Sequence, residues 1–313
     1  MWKKTDSTPL DLRRELSVRH YSTNSRAEKV FRFASTAAAV LASFTVALII
    51  FFMCMPALKA LSQVPLSAFF STTWNPRGYS GSSWGILPFI AGSLWTTVIA
   101  LVISVPLSFL AAVFSSQFMS KALRSATDVF FSLLAGIPSV IMGFLALTAI
   151  APLIAKVFHL SSGLTMLNGG ITLAIMVLPT MVSVLSDAFQ NIPEIYKEGA
   201  LALGASKWQA AIGVLFQFVK PAFISSVLLS FGRAIGETMA VIMAVGNVAM
   251  VPKSPLQPGE TMTGVLAIEM PETVAGSTHY NVLFLIGLIL LLIALLVNYL
   301  SGLITSKVRV KIQ

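Results

Sequence analysis

The chain has 313 residues, 56% of them hydrophobic and 11% charged, with a mean hydropathy of +0.85. A soluble domain carries roughly a quarter of its residues charged, so this composition excludes a globular soluble enzyme and defines an all-α or barrel membrane protein. The net charge of +9 does not point to nucleic acid, because most of it lies in tails and alternate loops, where it reports membrane topology and attraction to anionic lipid headgroups.

Residues 1–30 are polar and of mixed charge and are expected to form a cytoplasmic N-terminal tail. Six apolar runs follow, each long enough for a span, which takes roughly 20 residues. They are 33–58, 85–119, 129–155, 164–186, 221–250 and 281–306. None alternates with period 2, so they are helices and not barrel strands. The first run is too long, and follows too long a polar segment, for a cleavable signal peptide. It holds the single cysteine, Cys54, expected as an inert buried thiol. The loop after it, STTWNPRGYSGSSWG, places Trp74, Tyr79 and Trp84 at the outer water–lipid interface. That loop separates a first helix and outer loop, 31–84, from a five-helix core, 85–306, with a cytoplasmic C-terminus at 307–313. His20, His159 and His279 show no spacing that suggests a metal site.

Pro56, Pro106, Pro138, Pro179 and Pro221 predict kinks in or near the spans. No internal repeat is visible, so an inverted-repeat transporter has no support here. The tails and alternate loops divide the basic residues 16 against 4, which puts both termini in the cytoplasm. On the outer side, VPKSPLQPGE carries Pro252, Pro255 and Pro258 and reads as an extended, polyproline-like stretch. With Glu260, Glu269 and Glu272 after it, the segment is either a solvated loop or a docking surface for an outer partner.

The cytoplasmic loop 187–220 is the most informative soluble segment. Pro193 suits a helix start, and Glu194 to Leu203 favours a helix. Gly204 permits a left-handed turn, and Ser206 with Gln209 makes a capping-box pattern for a second helix along the surface.

The fifth run contains FGRAIGETMA. Arg233 and Glu237 are four residues apart, so on one helix they share a face and can touch. Each charge costs about 2.5–3.5 kcal/mol at a lipid-facing helix centre, which turns them toward the bundle interior or a water-filled cavity. Gly232 and Gly236 form a G-x-x-x-G step that lets a neighbouring helix approach. Two readings stand: an ion pair that fixes packing, or a pathway for an anion, whose oxygens suit the guanidinium fork.

EGALALG, Glu198 to Gly204, resembles the EAA loop of bacterial ABC-importer permeases. Glu198, Ala200 and Gly204 match in register, and Gly199 stands for the first alanine. Further on, Val214, Phe216 and Gln217 replace the isoleucine, leucine and proline of the pattern. RAIGETMAV with GN at Gly246 and Asn247 is similar to the permeases of the phosphate-specific transport system. So are WGILPFIAGSLWTTVIALVISVPLSF, LLAGIPSVIMG and LAIMVLPTMVSVLSDAF, and Met-Ala-Val after Gly-Glu-Thr favours the C-type subunit.

The resemblance implies a six-helix ABC importer permease of MetI-like fold with cytoplasmic coupling helices, in the bacterial inner membrane. It implies that Arg233 and Glu237 line the substrate path and that Glu198, Gly199, Ala200 and Gly204 couple it to the ATPase. The implied partners are a homologous A-type permease, a dimer of ATP-binding subunits and an extracytoplasmic phosphate-binding protein, beside membrane lipid. No G-x-x-x-x-G-K-[ST] phosphate loop occurs in the chain, so ATP and Mg are expected on the partner and no cofactor here. The alternatives are a permease for sulfate, molybdate or phosphonate, or a secondary anion transporter or channel. An intramembrane enzyme lacks its nucleophile–base or metal constellation.

Overall fold

The computed structural model describes residues 26–78 and 81–309. The tail residues 1–25 with His20, Tyr79, and residues 310–313 with Lys311 lie outside the described residues, as do the side chains of Lys307 and Arg309. The described chain is helical apart from a two-residue antiparallel ladder, β1 (Trp74–Asn75) with β2 (Ser83–Trp84). Six helices are long and apolar enough to cross a membrane.

The first helix, α1 (Arg26–Gln63), falls across two compact units, one ending at Phe52 and the other beginning at Met53. In the first unit its apolar side chains stand uncovered, with Phe33 77% and Phe44 59% exposed. That is the surface of a helix whose solvent is lipid, where an exposed apolar side chain carries no penalty.

The second unit contains the other five spans. After α2 (Leu66–Phe69) come α3 (Leu87–Gln117), α4 (Lys121–Ala135), α5 (Ser139–Val157) and α6 (Met166–Gln190). Then follow α7 (Glu194–Ala202), α8 (Lys207–Ile235), α9 (Met239–Ile242), α10 (Met262–Glu269) and α11 (Thr278–Arg309).

Two spans differ from the sequence expectation. The third apolar run is two helices, because Gly136-Ile137-Pro138 ends α4 and Pro138 takes an extended ψ of 140°. A residue before proline is driven out of the α region, and proline itself offers no N–H. The part from Val129 to Ala135 therefore belongs to α4, an amphipathic helix with no buried residue, and the crossing starts at Ser139. The fifth run is shifted: its helix begins at Lys207, well before Pro221, and stops at Ile235. The helix after Gly204 is thus the opening of α8 and not a second surface connector. The uncharged apolar stretch from Ala210 to Phe216 carries it inward, passing through a π-helical segment at Ala210–Leu215.

The core is built on α3 against α6. Gly92, Thr96, Ala100, Ser104, Ser108 and Ala112 recur every four residues on the buried face of α3. Such small side chains let two helix backbones come close in a medium that gives no hydrophobic drive to association. Leu173, Ala174 and Val177 of α6 pack in one cluster with Ala100, and Leu185 and Phe189 in another with Ala112 and Val113. Asn168, fully buried, donates its side-chain N–H groups to the carbonyls of Ala146 at 3.2 Å and Ala244 at 3.1 Å. Ala146 opens a π-helical turn, Ala146–Ile150, just before Pro152. A widened turn leaves carbonyls without their usual donor, and Asn168 supplies one.

The proline-rich stretch is neither extended nor solvated. Gly246 (φ +89°) and Asn247 (φ +50°) turn the chain, and Gly246 bridges to Gly259. The carbonyls of Gln257 and Pro255 accept from the N–H groups of Met166 (3.0 Å) and Leu167 (2.7 Å), and Pro252 accepts from Trp95 Nε1 (2.9 Å). The first N–H groups of any helix lack an internal partner, so this loop is seated on the start of α6 by that need.

Gly92 lies where the backbone of Glu260 crosses α3, and a Cβ there would strike the Glu260 carbonyl. Gly92→Ala is expected to destabilise the chain by about 1–3 kcal/mol, read as a lowered thermal midpoint in detergent. Gly213→Ala, which meets nothing within 4 Å, is expected to leave that midpoint unchanged or raise it.

Candidate functional site

The charged decapeptide is not one helix. α8 ends at Ile235 with Gly236 as its C-cap, and the next turn does not begin until Thr238 caps α9. Across the gap the Glu237 N–H donates to the Ala234 carbonyl at 3.3 Å. The Glu237 carbonyl accepts from Thr263 Oγ1 at 2.8 Å, which ties the break to the start of α10.

This separates the two charges. Arg233 and Glu237 form no ion pair; within 4.0 Å the salt bridges among the described residues are Arg77–Glu272 and His279–Glu269. The i, i+4 geometry needs a continuous helix, and Gly236 ends it. Instead Arg233 sits in the last turn of α8, and Glu237 precedes α9, where its Oε1 lies 3.5 Å from the Ala240 N–H. A cation at a helix C-terminus and a carboxylate at an N-terminus each complement the local backbone dipoles. Arg233 is exposed on the surface of this chain and donates from Nη1 to Thr180 Oγ1 at 3.1 Å. Thr180 follows Pro179 on α6.

The two glycines have different work from that expected. A Cβ on Gly232 would meet Val297 of α11 at 3.8 Å, an ordinary contact and not a close helix crossing. Gly236 is a helix terminator. The G-x-x-x-G reading fails because its second glycine lies outside the helix.

At the other end of α8, the EAA-like segment folds as its sequence indicates. α7 ends in a Schellman motif: Gly204, at φ +87°, donates to Leu201 O at 3.0 Å, and Ala205 donates to Ala200 O at 3.1 Å. Ser206 and Gln209 form the capping box that starts α8. Ala200 is buried, whereas Glu198, Gly199 and Gly204 are exposed. Tyr196 lies against Phe218 with ring centroids 4.6 Å apart, which fastens α7 to α8. Large apolar side chains point away from the chain at this end, with Leu203 92% and Ile195 72% exposed.

The opposite end carries the aromatic and acidic residues expected at the outer interface and in the outer loop. Trp84 is buried in the core cluster, and Trp74 lies edge-on to Phe89 with centroids 5.1 Å apart. Glu269 accepts from Trp74 Nε1 at 3.0 Å and pairs with His279 Nε2 at 2.7 Å. These groups and Asn247 line a cavity of about 450 Å³. Glu260 also lines it, 4% exposed, and burial first, then the charge of Glu269, pushes its carboxyl up to about 7. Trp84 and Glu260 are enclosed because the fold closes their polar loops over one another, whereas Glu272 stays exposed. Cys54 is half-buried, and no group of three or more His, Cys, Asp or Glu among the described residues is placed to hold a metal ion.

Sequence reasoning passed over Thr180, Thr263 and Asn168. Asn168 had a visible signal, being an amide at the head of an apolar run. The two threonines had none, since their partners come from distant helices.

A bundle of crossing helices with a charged break in one span and an exposed helical elbow at that span's other end is the build of a transport permease. Residues 104–310 match the family described as "Binding-protein-dependent transport system inner membrane component". The chain belongs to that family and is a multi-pass permease subunit of an ABC importer. It is 36% identical over 242 residues to the probable ABC transporter permease protein YqgH of Bacillus subtilis, covering 76% of this chain and 78% of that one. It is 32% identical to the phosphate transport system permease protein PstC of Xylella fastidiosa, over 81% of this chain and 82% of the relative. The corresponding PstC of Mesorhizobium japonicum is 31% identical over 91% and 90%. Among solved structures, a bacterial alginate ABC importer superposes with a TM-score of 0.56 at 16% identity, covering 90% of this chain and all of that one. The MetNI methionine ABC transporter gives 0.52 at 17% identity over 72% and 94%. These two show the fold.

Glu260 sets a pH dependence. Its carboxyl titrates near 4.5 when unfolded and about 7 when folded, so between those values the unfolded state loses the proton while the folded state keeps it. The contribution of Glu260 to stability is therefore largest at low pH, falls from about pH 4.5 to 7 by on the order of 3 kcal/mol and then levels. The thermal midpoint in detergent is expected to drop by several degrees between pH 5 and 7.5, and Glu260→Gln to remove most of that drop.

Proposed function

We propose that this chain is the membrane-spanning permease of an ATP-driven importer of inorganic phosphate and forms one wall of the anion's path. Arg233 carries the reading: a permanent cation stands uncovered on the flank of a span with a threonine as its partner and no carboxylate to cancel it. A charge of that kind facing lipid costs about 2.5–3.5 kcal/mol, so this flank meets protein or water. A homologous A-type permease closes it, and the guanidinium fork then stands on a shared aqueous path where it contacts phosphate oxygens. Glu237, beyond the break, keeps the path from becoming an anion trap. Phosphate is favoured over sulfate, molybdate or phosphonate by the relatives from Xylella fastidiosa and Mesorhizobium japonicum that carry phosphate in their names.

The motor is a separate pair of ATP-binding subunits, which bring ATP and Mg; this chain has no phosphate-loop motif of its own. α7 docks into them through its uncovered side chains, with Glu198 and the turn at Gly204 setting the angle of the elbow. The division of the basic residues, 16 against 4, supports a cytoplasmic position for α7 and both termini. The end bearing Trp74 and Asn247 then faces outward, toward an extracytoplasmic phosphate-binding protein.

Arg233→Gln is expected to reduce labelled-phosphate uptake roughly tenfold or more, the worth of one charged hydrogen bond, at unchanged membrane abundance. Normal uptake by that variant would sink the pathway role. Excess sulfate or molybdate should not compete, and uptake should stop without the ATPase subunit but survive collapse of the proton gradient. Gly204→Val forces a branched residue into positive φ and should lower both uptake and co-purification of the ATPase. Gly199→Ala, with open space around it, should preserve both.

A further inference from the structure

At the α7 end of the bundle lies a cavity of about 350 Å³, lined by Lys121, Arg124, Lys197, Gln117, Gln190 and Glu194 among others. We propose that it holds the phosphodiester headgroup of an anionic phospholipid. The assignment rests on the reading that this end faces the cytoplasm, where headgroups of the inner leaflet lie.

Three cations face one carboxylate, so the lining is positive. Among the described residues Lys121 and Lys197 take part in no salt bridge. Arg124 is fixed in place, donating from Nε to Ser115 O at 3.0 Å and from Nη2 to Ser116 O. Of its five N–H donors, that leaves three for an anion. α4 begins at Lys121 and α7 at Glu194, and both of these first residues line the cavity.

The surroundings distinguish a lipid from a free ion. α4 is amphipathic, and its apolar side chains stand bare, with Leu123 54%, Phe130 59% and Leu133 70% exposed. Phe114 and Phe118, stacked 6.0 Å apart at the end of α3, are also uncovered. A basic pocket beside a bare apolar helix face provides for both the head and the tails of a lipid at the membrane surface.

The test uses the full chain purified in neutral detergent, titrated with phosphatidylglycerol or phosphatidylcholine, and retained lipid counted by native mass spectrometry. The wild type is expected to retain phosphatidylglycerol preferentially, and Lys121→Gln and Lys197→Gln each to lower that preference roughly fivefold. Lys121→Arg/Lys197→Arg should keep it, which separates charge from folding. Equal retention of the two lipids, or an undiminished preference in the double glutamine variant, would overturn the proposal. Release of phosphatidylglycerol by millimolar inorganic phosphate would reassign the pocket to a free anion. Loss of ATPase co-purification with lipid preference intact would reassign it to an acidic side chain of that partner. Phosphate uptake is not part of this readout, so failure here leaves the transport reading standing, and failure of transport leaves the lipid preference to be judged by itself.

Discussion

Inside a bilayer every backbone N–H and C=O must find its partner within the protein, and this chain meets that demand without a continuous helix in the stretch after Ile235. The break at Gly236–Thr238 is held by the Thr263 hydroxyl on the Glu237 carbonyl. The loop that follows gives its carbonyls to the otherwise unpaired start of α6 and to the indole of Trp95. Asn168 closes the remaining gap between the π turn of α5 and Ala244. The irregular backbone after Ile235 is thus fastened from several helices, so the break is held as part of the fold.

The break also explains how a full positive and a full negative charge are tolerated so close together in an apolar run. They do not neutralise each other. Arg233 rests at the negative end of one helix and donates to Thr180, and Glu237 lies at the positive end of another, so each is stabilised by backbone dipoles without the other. An ion pair would have been cheaper to place and less useful, since a guanidinium already engaged by a carboxylate has fewer donors to offer.

α8 joins the two functional ends. Its 29 residues from Lys207 to Ile235 span about 43 Å at 1.5 Å per residue. At one end it begins in the capping box beside the Gly204 turn, and at the other it ends at Ile235, two residues beyond Arg233. One helix thus connects the elbow at α7 to the charged break. The π segment near the start of that helix and Pro221 within it are the places where it can bend.

Sequence alone determined what local chemistry can dictate. Six crossings follow from runs of apolar residues, the Gly204 turn from the one residue type that accepts positive φ without strain, and the α8 start from Ser206 and Gln209. Hydrophobicity and capping act within a few residues, so they can be read along the chain. What the tertiary structure decided was where helices stop inside an apolar run and which polar groups meet there. Arg233 finding Thr180, Glu237 separated from Arg233, Trp84 buried and Glu260 enclosed all depend on partners more than 50 residues away or on a loop folding back. An apolar run records only that its residues avoid water. Whether they do so in lipid, against another helix or around a cavity is settled by hydrogen-bond partners brought from elsewhere in the fold.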